Sequence, residues 1–128
     1  MRRAAACIAL VLGLSSIDAF ARYELVTVAE PLDHPWGIAF LPDGELLVTE
    51  HPGALRRIAA DGTVSKPLDG VPPVFYAGQG GLLDVALDPA FAKNRLVYMS
   101  YTEPREGGNG TSVARGVLEG GKLAGVQV

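Results

Sequence analysis

Ile38-Ala39-Phe40-Leu41-Pro42 is echoed 47 residues later by Val85-Ala86-Leu87-Asp88-Pro89. Each string is an apolar run that ends in a proline turn. Each is followed by a second run closing on Thr-Glu, Val48-Thr49-Glu50 and Tyr101-Thr102-Glu103, here at an offset of 53. The six extra residues fall around Phe91-Ala92-Lys93-Asn94. A period of ~40–50 residues made of short strands is the mark of a β-propeller blade.

Working outward, residues 36–40, 45–50, 55–59 and 63–68 read as four short strands. Leu41-Pro42-Asp43-Gly44, His51-Pro52-Gly53 and Ala60-Asp61-Gly62 supply the turns between them. Residues 82–87, 95–101, 112–118 and 122–128 read as a second set of four. In that set Leu96-Val97-Tyr98-Met99 is apolar on both strand faces, as a sheet between two neighbours requires. A β-sandwich also accommodates eight such strands, but the repeat favours an all-β, partial β-propeller of about two four-stranded blades. A ring needs ~4–8 blades, and the last residues, Ala124-Gly125-Val126-Gln127-Val128, read as a strand cut in mid-course. The expectation is therefore an N-terminal piece of a longer propeller, with an apolar blade face left uncovered and poor solubility on its own.

The composition agrees. The 128 residues suffice for one modest domain. Sixteen Gly and nine Pro suit tight turns and leave no ten-residue stretch of helical periodicity after the N-terminus, which excludes a helical bundle. A net charge of −3 argues against a surface that lives on nucleic-acid phosphates.

The N-terminus has its own pattern. Arg2 and Arg3 precede an apolar stretch over 4–14, and small residues follow down to Ala19-Phe20-Ala21. That order is a secretory signal peptide, residues 1–21, with cleavage after Ala21. The apolar stretch is too short to span a ~30 Å hydrocarbon core, so no membrane span is expected once the leader is removed. The expected compartment is periplasmic or secreted. Cys7, the single cysteine, leaves with the leader, so residues 22–128 can form neither a disulfide nor a thiolate metal site.

Few residues signal chemistry. His34 and His51 each precede a proline and read as solvated turn residues. Trp36 reads as a core or interblade filler. Asp84 and Asp88 share a strand face and could share a cation, but Asp88-Pro89 reads more simply as the start of a turn. Asn109-Gly110-Thr111 matches a glycosylation sequon, which the Gly-rich loop over 106–110 explains without modification. There is no nucleophile elbow, zinc-protease motif or phosphate loop. The remaining candidate is Ala77-Gly78-Gln79-Gly80-Gly81. Three glycines let backbone and ligand approach closely, and the Gln79 amide offers both acceptor and donors to sugar hydroxyls. The competing reading is a mobile hairpin whose glutamine faces water.

Longer strings carry a resemblance. The run Leu32-Asp33-His34-Pro35-Trp36-Gly37-Ile38-Ala39-Phe40-Leu41-Pro42-Asp43-Gly44 is one. Gly78-Gln79-Gly80-Gly81-Leu82-Leu83-Asp84-Val85-Ala86-Leu87-Asp88-Pro89-Ala90-Phe91 is the more specific second, continued by Asn94-Arg95-Leu96-Val97-Tyr98-Met99-Ser100-Tyr101. Over about residues 25–128 the chain resembles the soluble quinoprotein sugar dehydrogenases, also described as glucose/sorbosone or aldose sugar dehydrogenases. The resemblance implies a six-bladed propeller that uses pyrroloquinoline quinone (PQQ) and calcium to oxidise an aldose at C1 to the lactone, passing electrons to an external acceptor. It implies one substrate- or cofactor-binding residue here, Gln79. It implies no catalytic or metal-ligating residue, because the family's general-base histidine, basic quinone-binding residues and calcium ligands come later, and neither His34 nor His51 matches that histidine. The chain alone is expected to be inactive. A non-catalytic binding propeller and a metal-dependent propeller lactonase are the alternatives.

Overall fold

The computed structural model describes residues 23–128; the leader expected over 1–21 lies outside the described residues. Among the described residues seven strands form two antiparallel sheets. The first contains β1 (Pro35–Phe40), β2 (Leu46–Glu50) and β3 (Ala54–Ile58) in that order. The second contains β4 (Leu82–Leu87), β5 (Leu96–Arg105), β6 (Gly108–Glu119) and β7 (Lys122–Gln127), with one four-residue helix, α1 (Phe91–Asn94), between β4 and β5. β1 lies beside β4, so the two sheets are stacked like neighbouring blades of a propeller with their first strands together. Among the described residues no helix is long and apolar enough to cross a membrane.

The core lies between the sheets. Leu47 and Leu55 from the first meet Leu82, Val97, Met99, Tyr101, Ala114 and Leu118 from the second in one apolar cluster. Along β5 the period is two: Val97, Met99 and Tyr101 are buried, while Tyr98 and Ser100 on the other face are half-buried. The strand buried on both faces is β2, where every residue from Leu47 to Glu50 is enclosed. Burial raises the pKa of the Tyr101 phenol above its ordinary value, because its ionised form would lose water. On the outer face of β1, Trp36, Ile38 and Phe40 are exposed, an apolar face the described residues leave open.

Each inner strand carries a bulge at the same place. Pairing shifts between Pro35 and Ile38 in β1, and between Leu82 and Val85 in β4. In each sheet a hydroxyl from the second strand accepts the N–H that the bulge frees. Thr49 Oγ1 takes it from Gly37 at 2.8 Å, and Ser100 Oγ takes it from Asp84 at 3.1 Å. The registers also correct the repeat length. Pro35 pairs with Glu50 and Leu82 with Tyr101, so the second strands repeat at 51 residues rather than at the 53 suggested by the two Thr-Glu pairs. α1 accounts for the four-residue excess over 47.

Two strand assignments differ from the sequence reading. The fourth strand expected over 63–68 is only a single bridge, Ile58 to Val64, so the first sheet has three regular strands. The segment still follows β3: Ser65 N–H donates to Arg57 O at 2.9 Å and Leu68 N–H to Leu55 O at 2.8 Å. Side chains interrupt the ladder, since Arg57 N–H goes to the Ser65 hydroxyl and Arg56 occupies the Ser65 carbonyl. Pro67 has no N–H to give. Conversely, the loop expected over 106–110 is mostly strand. β5 and β6 stay paired down to Arg105 and Gly108, and a positive φ at Gly107 closes the turn. Gly110 leaves room for the Arg105 guanidinium, which a Cβ there would crowd at 2.6 Å.

The Asp84 and Asp88 carboxylates are each engaged by their own local hydrogen bonds. Asp84 Oδ1 accepts the Val85 N–H. Asp88 begins the turn into α1, accepting from the Asn94 side chain, the Ala90 N–H and the Tyr98 hydroxyl. These bonds, the Asn94 one foremost, hold the Asp88 carboxyl below its ordinary pKa.

The sheets meet most closely at Gly37. A Cβ there would lie 2.8 Å from Asp84 Oδ1, 3.0 Å from Asp84 Cα and 3.1 Å from Leu83 O. Gly37→Ala should therefore cost about 1–3 kcal/mol by forcing β1 off β4. Urea denaturation of the complete protein measures this, and a loss below ~0.5 kcal/mol, the ordinary surface value, would contradict the packing described.

Candidate functional site

Because Gly37 sits against Leu83 and Asp84, β1 and β4 begin at the same end of the molecule. The loops that feed them, 32–35 and 75–81, converge there with the turn after β2. Gln79 lies at the exposed tip of the second loop. Ala77 and Gly80 close a two-residue turn through two backbone hydrogen bonds, 3.1 Å and 2.8 Å. φ is positive at Gly78 (57°) and not at Gln79, the type II′ pattern that suits a hairpin.

The base of this hairpin is well tied down. Phe75 N–H donates to the Thr102 carbonyl at 2.8 Å, and Thr102 N–H donates to the Gly81 carbonyl at 2.8 Å. Gly81 N–H reaches the Thr102 hydroxyl at 3.2 Å, and Leu82 N–H reaches the His51 carbonyl at 2.9 Å. Gln79 is thus presented to solvent by a short turn on a fixed base, not by a free loop.

His51 departs from its reading as a solvated residue. His51-Pro52-Gly53 does turn the chain, but the ring folds back inside with only 7% of the residue exposed. It stacks on Trp36 with centroids 4.4 Å apart and 21° between planes, and meets Tyr76 edge-on at 5.2 Å and 83°. Its Nε2 is the one buried side-chain polar atom without a hydrogen bond among the described residues. The sequence hid this because an X-Pro turn says nothing of where the preceding ring goes. His34 does conform: it is exposed, and its Nδ1 pairs with the Asp33 carboxylate. Trp36, read as a filler, is half exposed and forms the outer plate of the stack.

The first loop is held by a buried carboxylate. Glu50 accepts the Asp33 N–H at 2.9 Å and the Arg56 Nε–H at 2.8 Å. Its charge is therefore paired and hydrogen-bonded, the condition under which a buried carboxylate is tolerated. This bond sets the chain direction into β1, where His34 turns at a φ of 49° and its carbonyl accepts the His51 N–H.

Could these residues hold a quinone with calcium? PQQ carries three carboxylates and needs cations around it. Neither converging loop contains Lys or Arg, and Arg56 beneath them is taken by Glu50. Among the described residues no three His, Cys, Asp or Glu gather as a metal site. The donor set fits one amide partner to a sugar or quinone oxygen and does not by itself fit the cofactor or its metal.

The sequence pattern of the Glucose / Sorbosone dehydrogenase family matches residues 32–128. The chain belongs to that family. It is 46% identical over 100 residues to aldose sugar dehydrogenase YliI of Escherichia coli, covering 77% of this chain and 27% of that protein. It is 44% identical over 113 residues to an uncharacterized Synechocystis protein, slr1608, with 82% and 27% covered. Among solved structures, the soluble aldose sugar dehydrogenase of Escherichia coli in its apo form superposes with a TM-score of 0.74 at 43% identity, over 78% of this chain and 30% of that one. The PQQ-bound aldose sugar dehydrogenase of Streptomyces coelicolor does so with a TM-score of 0.68 at 36% identity, over 79% and 29%. The chain therefore spans less than a third of the length of these relatives. Its two sheets are blades of the same β-propeller.

The hairpin base yields a paired prediction. A Cβ on Gly81 would run into the His51 carbonyl and imidazole, whereas at Gly78 it would meet nothing within 4 Å. Gly81→Ala should cost about 2 kcal/mol or more. Gly78→Ala should cost only the left-handed backbone penalty of ~1 kcal/mol. Denaturation midpoints of the two variants, compared side by side, test this order; equal losses would contradict it.

Proposed function

We propose that the complete protein carrying this chain is an exported quinoprotein that oxidises aldose sugars at C1 to lactones, with PQQ and calcium as its cofactors and an external electron acceptor. Residues 1–21 are its leader, removed after Ala21, and residues 22–128 are its N-terminal blades. Family membership, the aldose sugar dehydrogenase relatives and the PQQ-bound Streptomyces structure support the chemistry. The observation that carries the site is the placement of Gln79 at the tip of an anchored hairpin, at the end where both inner strands begin.

When bound, the quinone supplies the two-electron acceptor for the C1 hydride. The contribution of this chain is to orient the sugar. The Gln79 carboxamide can donate through its N–H groups and accept through its oxygen, so it can fix two adjacent sugar oxygens at once. A side chain held on a type II′ turn loses less freedom on binding than one on a floppy loop, which makes such positioning effective. Gln79 has no proton to exchange near neutral pH, so its part is alignment rather than acid–base work. Neither histidine here is its base: His34 is an exposed partner of Asp33, and the His51 ring is enclosed. Residues 22–128 alone are accordingly inactive.

In the complete protein supplied with PQQ and calcium, Gln79→Ala should lower kcat/KM for aldoses about 10–100-fold, with an unchanged circular dichroism spectrum, when dye reduction is followed. Full activity of the variant across several aldoses would remove Gln79 from the site. Failure of the wild type to reduce dye with any aldose would favour a non-catalytic propeller. Mass spectrometry of the exported protein should find Arg22 at its N-terminus, and retention of residues 1–21 would contradict the leader.

A further inference from the structure

We infer that His51 is a positioning residue for the substrate, acting through Gly81 on the hairpin that presents Gln79; this rests on the reading of Gln79 as a sugar-orienting side chain. Three observations converge. The His51 ring fills the slot between Trp36 and Tyr76, and Tyr76 belongs to the Gln79 loop itself. The Cδ2–Nε2 edge of the ring lies where a Gly81 side chain would be, and the His51 carbonyl accepts the Leu82 N–H, so ring and backbone brace the same two residues. The loop's remaining anchors all come from Thr102 on β5, which leaves His51 as the brace on the side of the first sheet.

The residue type carries further weight. In a slot that required filling alone, an apolar side chain would be more stable, because Nε2 is buried with no partner. What the brace uses is the flatness of the ring, which a phenylalanine would share: it can stack on Trp36 and still be thin enough at its edge to touch the Gly81 backbone. A branched aliphatic side chain fills volume without offering an edge of that kind. Trp36 and Tyr76 are about half exposed, so His51 supports the hairpin from below while leaving its tip free for a ligand. Neither sheet alone contains both the brace and the braced turn. Docking of β1 against β4 brings them together.

The test is a double-mutant cycle in the complete protein with PQQ and calcium, together with hydrogen exchange of the apo protein. His51→Ala should lower kcat/KM about tenfold or more, should cause no further loss in a Gln79→Ala background, and should speed amide exchange across residues 75–82 about tenfold while leaving β5–β6 unchanged. His51→Phe, which keeps a flat ring, should restore most of the activity; His51→Leu should not, and it replaces His51→Ala if that variant does not fold. An equal loss from His51→Ala with and without Gln79, or unaltered exchange over 75–82, overturns the inference. If Gln79→Ala is itself silent while exchange over 75–82 rises in His51→Ala, the brace exists but serves no sugar-binding glutamine; the inference falls, and the fault is located in the reading of Gln79.

Discussion

The Thr49 hydroxyl accepts from Gly37 N–H within its own sheet and donates to the Leu83 carbonyl of the next. That one side chain, fully buried on β2, ties the bulge of β1 to the bulge of β4. Because position 37 is a glycine, the two strands come close enough for the bond to form. The relation of the two loops at the candidate site is set first by this contact. Without it the His51–Trp36 stack and the Gln79 hairpin, which belong to different sheets, would be held together only by the Leu82 N–H to His51 carbonyl bond, the Tyr76 contact and the shared core.

The second sheet repeats half of the device. Ser100 accepts the Asp84 N–H just as Thr49 accepts that of Gly37. Asp84, however, has a side chain, which turns back to its own neighbour Val85. The blades are thus similar where backbone must be satisfied and different where side chains meet a neighbour. Conserving the hydrogen-bonding duty while varying the packing surface is what a repeat architecture needs if every sheet is to dock on a different partner.

Much of this was legible. Period-two runs and turn chemistry located seven strands, because each has an apolar run beside turn residues, but β5 and β6 continue past the expected 95–101 and 112–118 to meet at a tight turn. The 47-residue echo located both inner strands in register. The second strands were placed two residues off, since the Thr-Glu pairs look alike but occupy different positions in their ladders: Glu50 pairs with Pro35, whereas Tyr101, two residues before Glu103, pairs with Leu82. The 63–68 segment looked like a strand and is not a regular one, because Ser65 and Arg56 satisfy by side chain what a ladder would satisfy by backbone. Local pattern does not register that competition. At the site, the glycines around Gln79 announced a tight turn, but not its anchors on Thr102 and His51. Those come from β5 and from the first sheet, more than twenty residues away in sequence, and burial of a histidine beside a proline turn has no periodic signature.

The proposed role of Gln79 requires that contact between the inner strands hold it fixed before a bound sugar. A crystal structure of the complete protein with an aldose bound tests this most directly. The expected result is a sugar oxygen within ~3.2 Å of the Gln79 amide, with the His51 ring still stacked on Trp36 and against Gly81. An ordered sugar elsewhere, with Gln79 turned to bulk water, would contradict it.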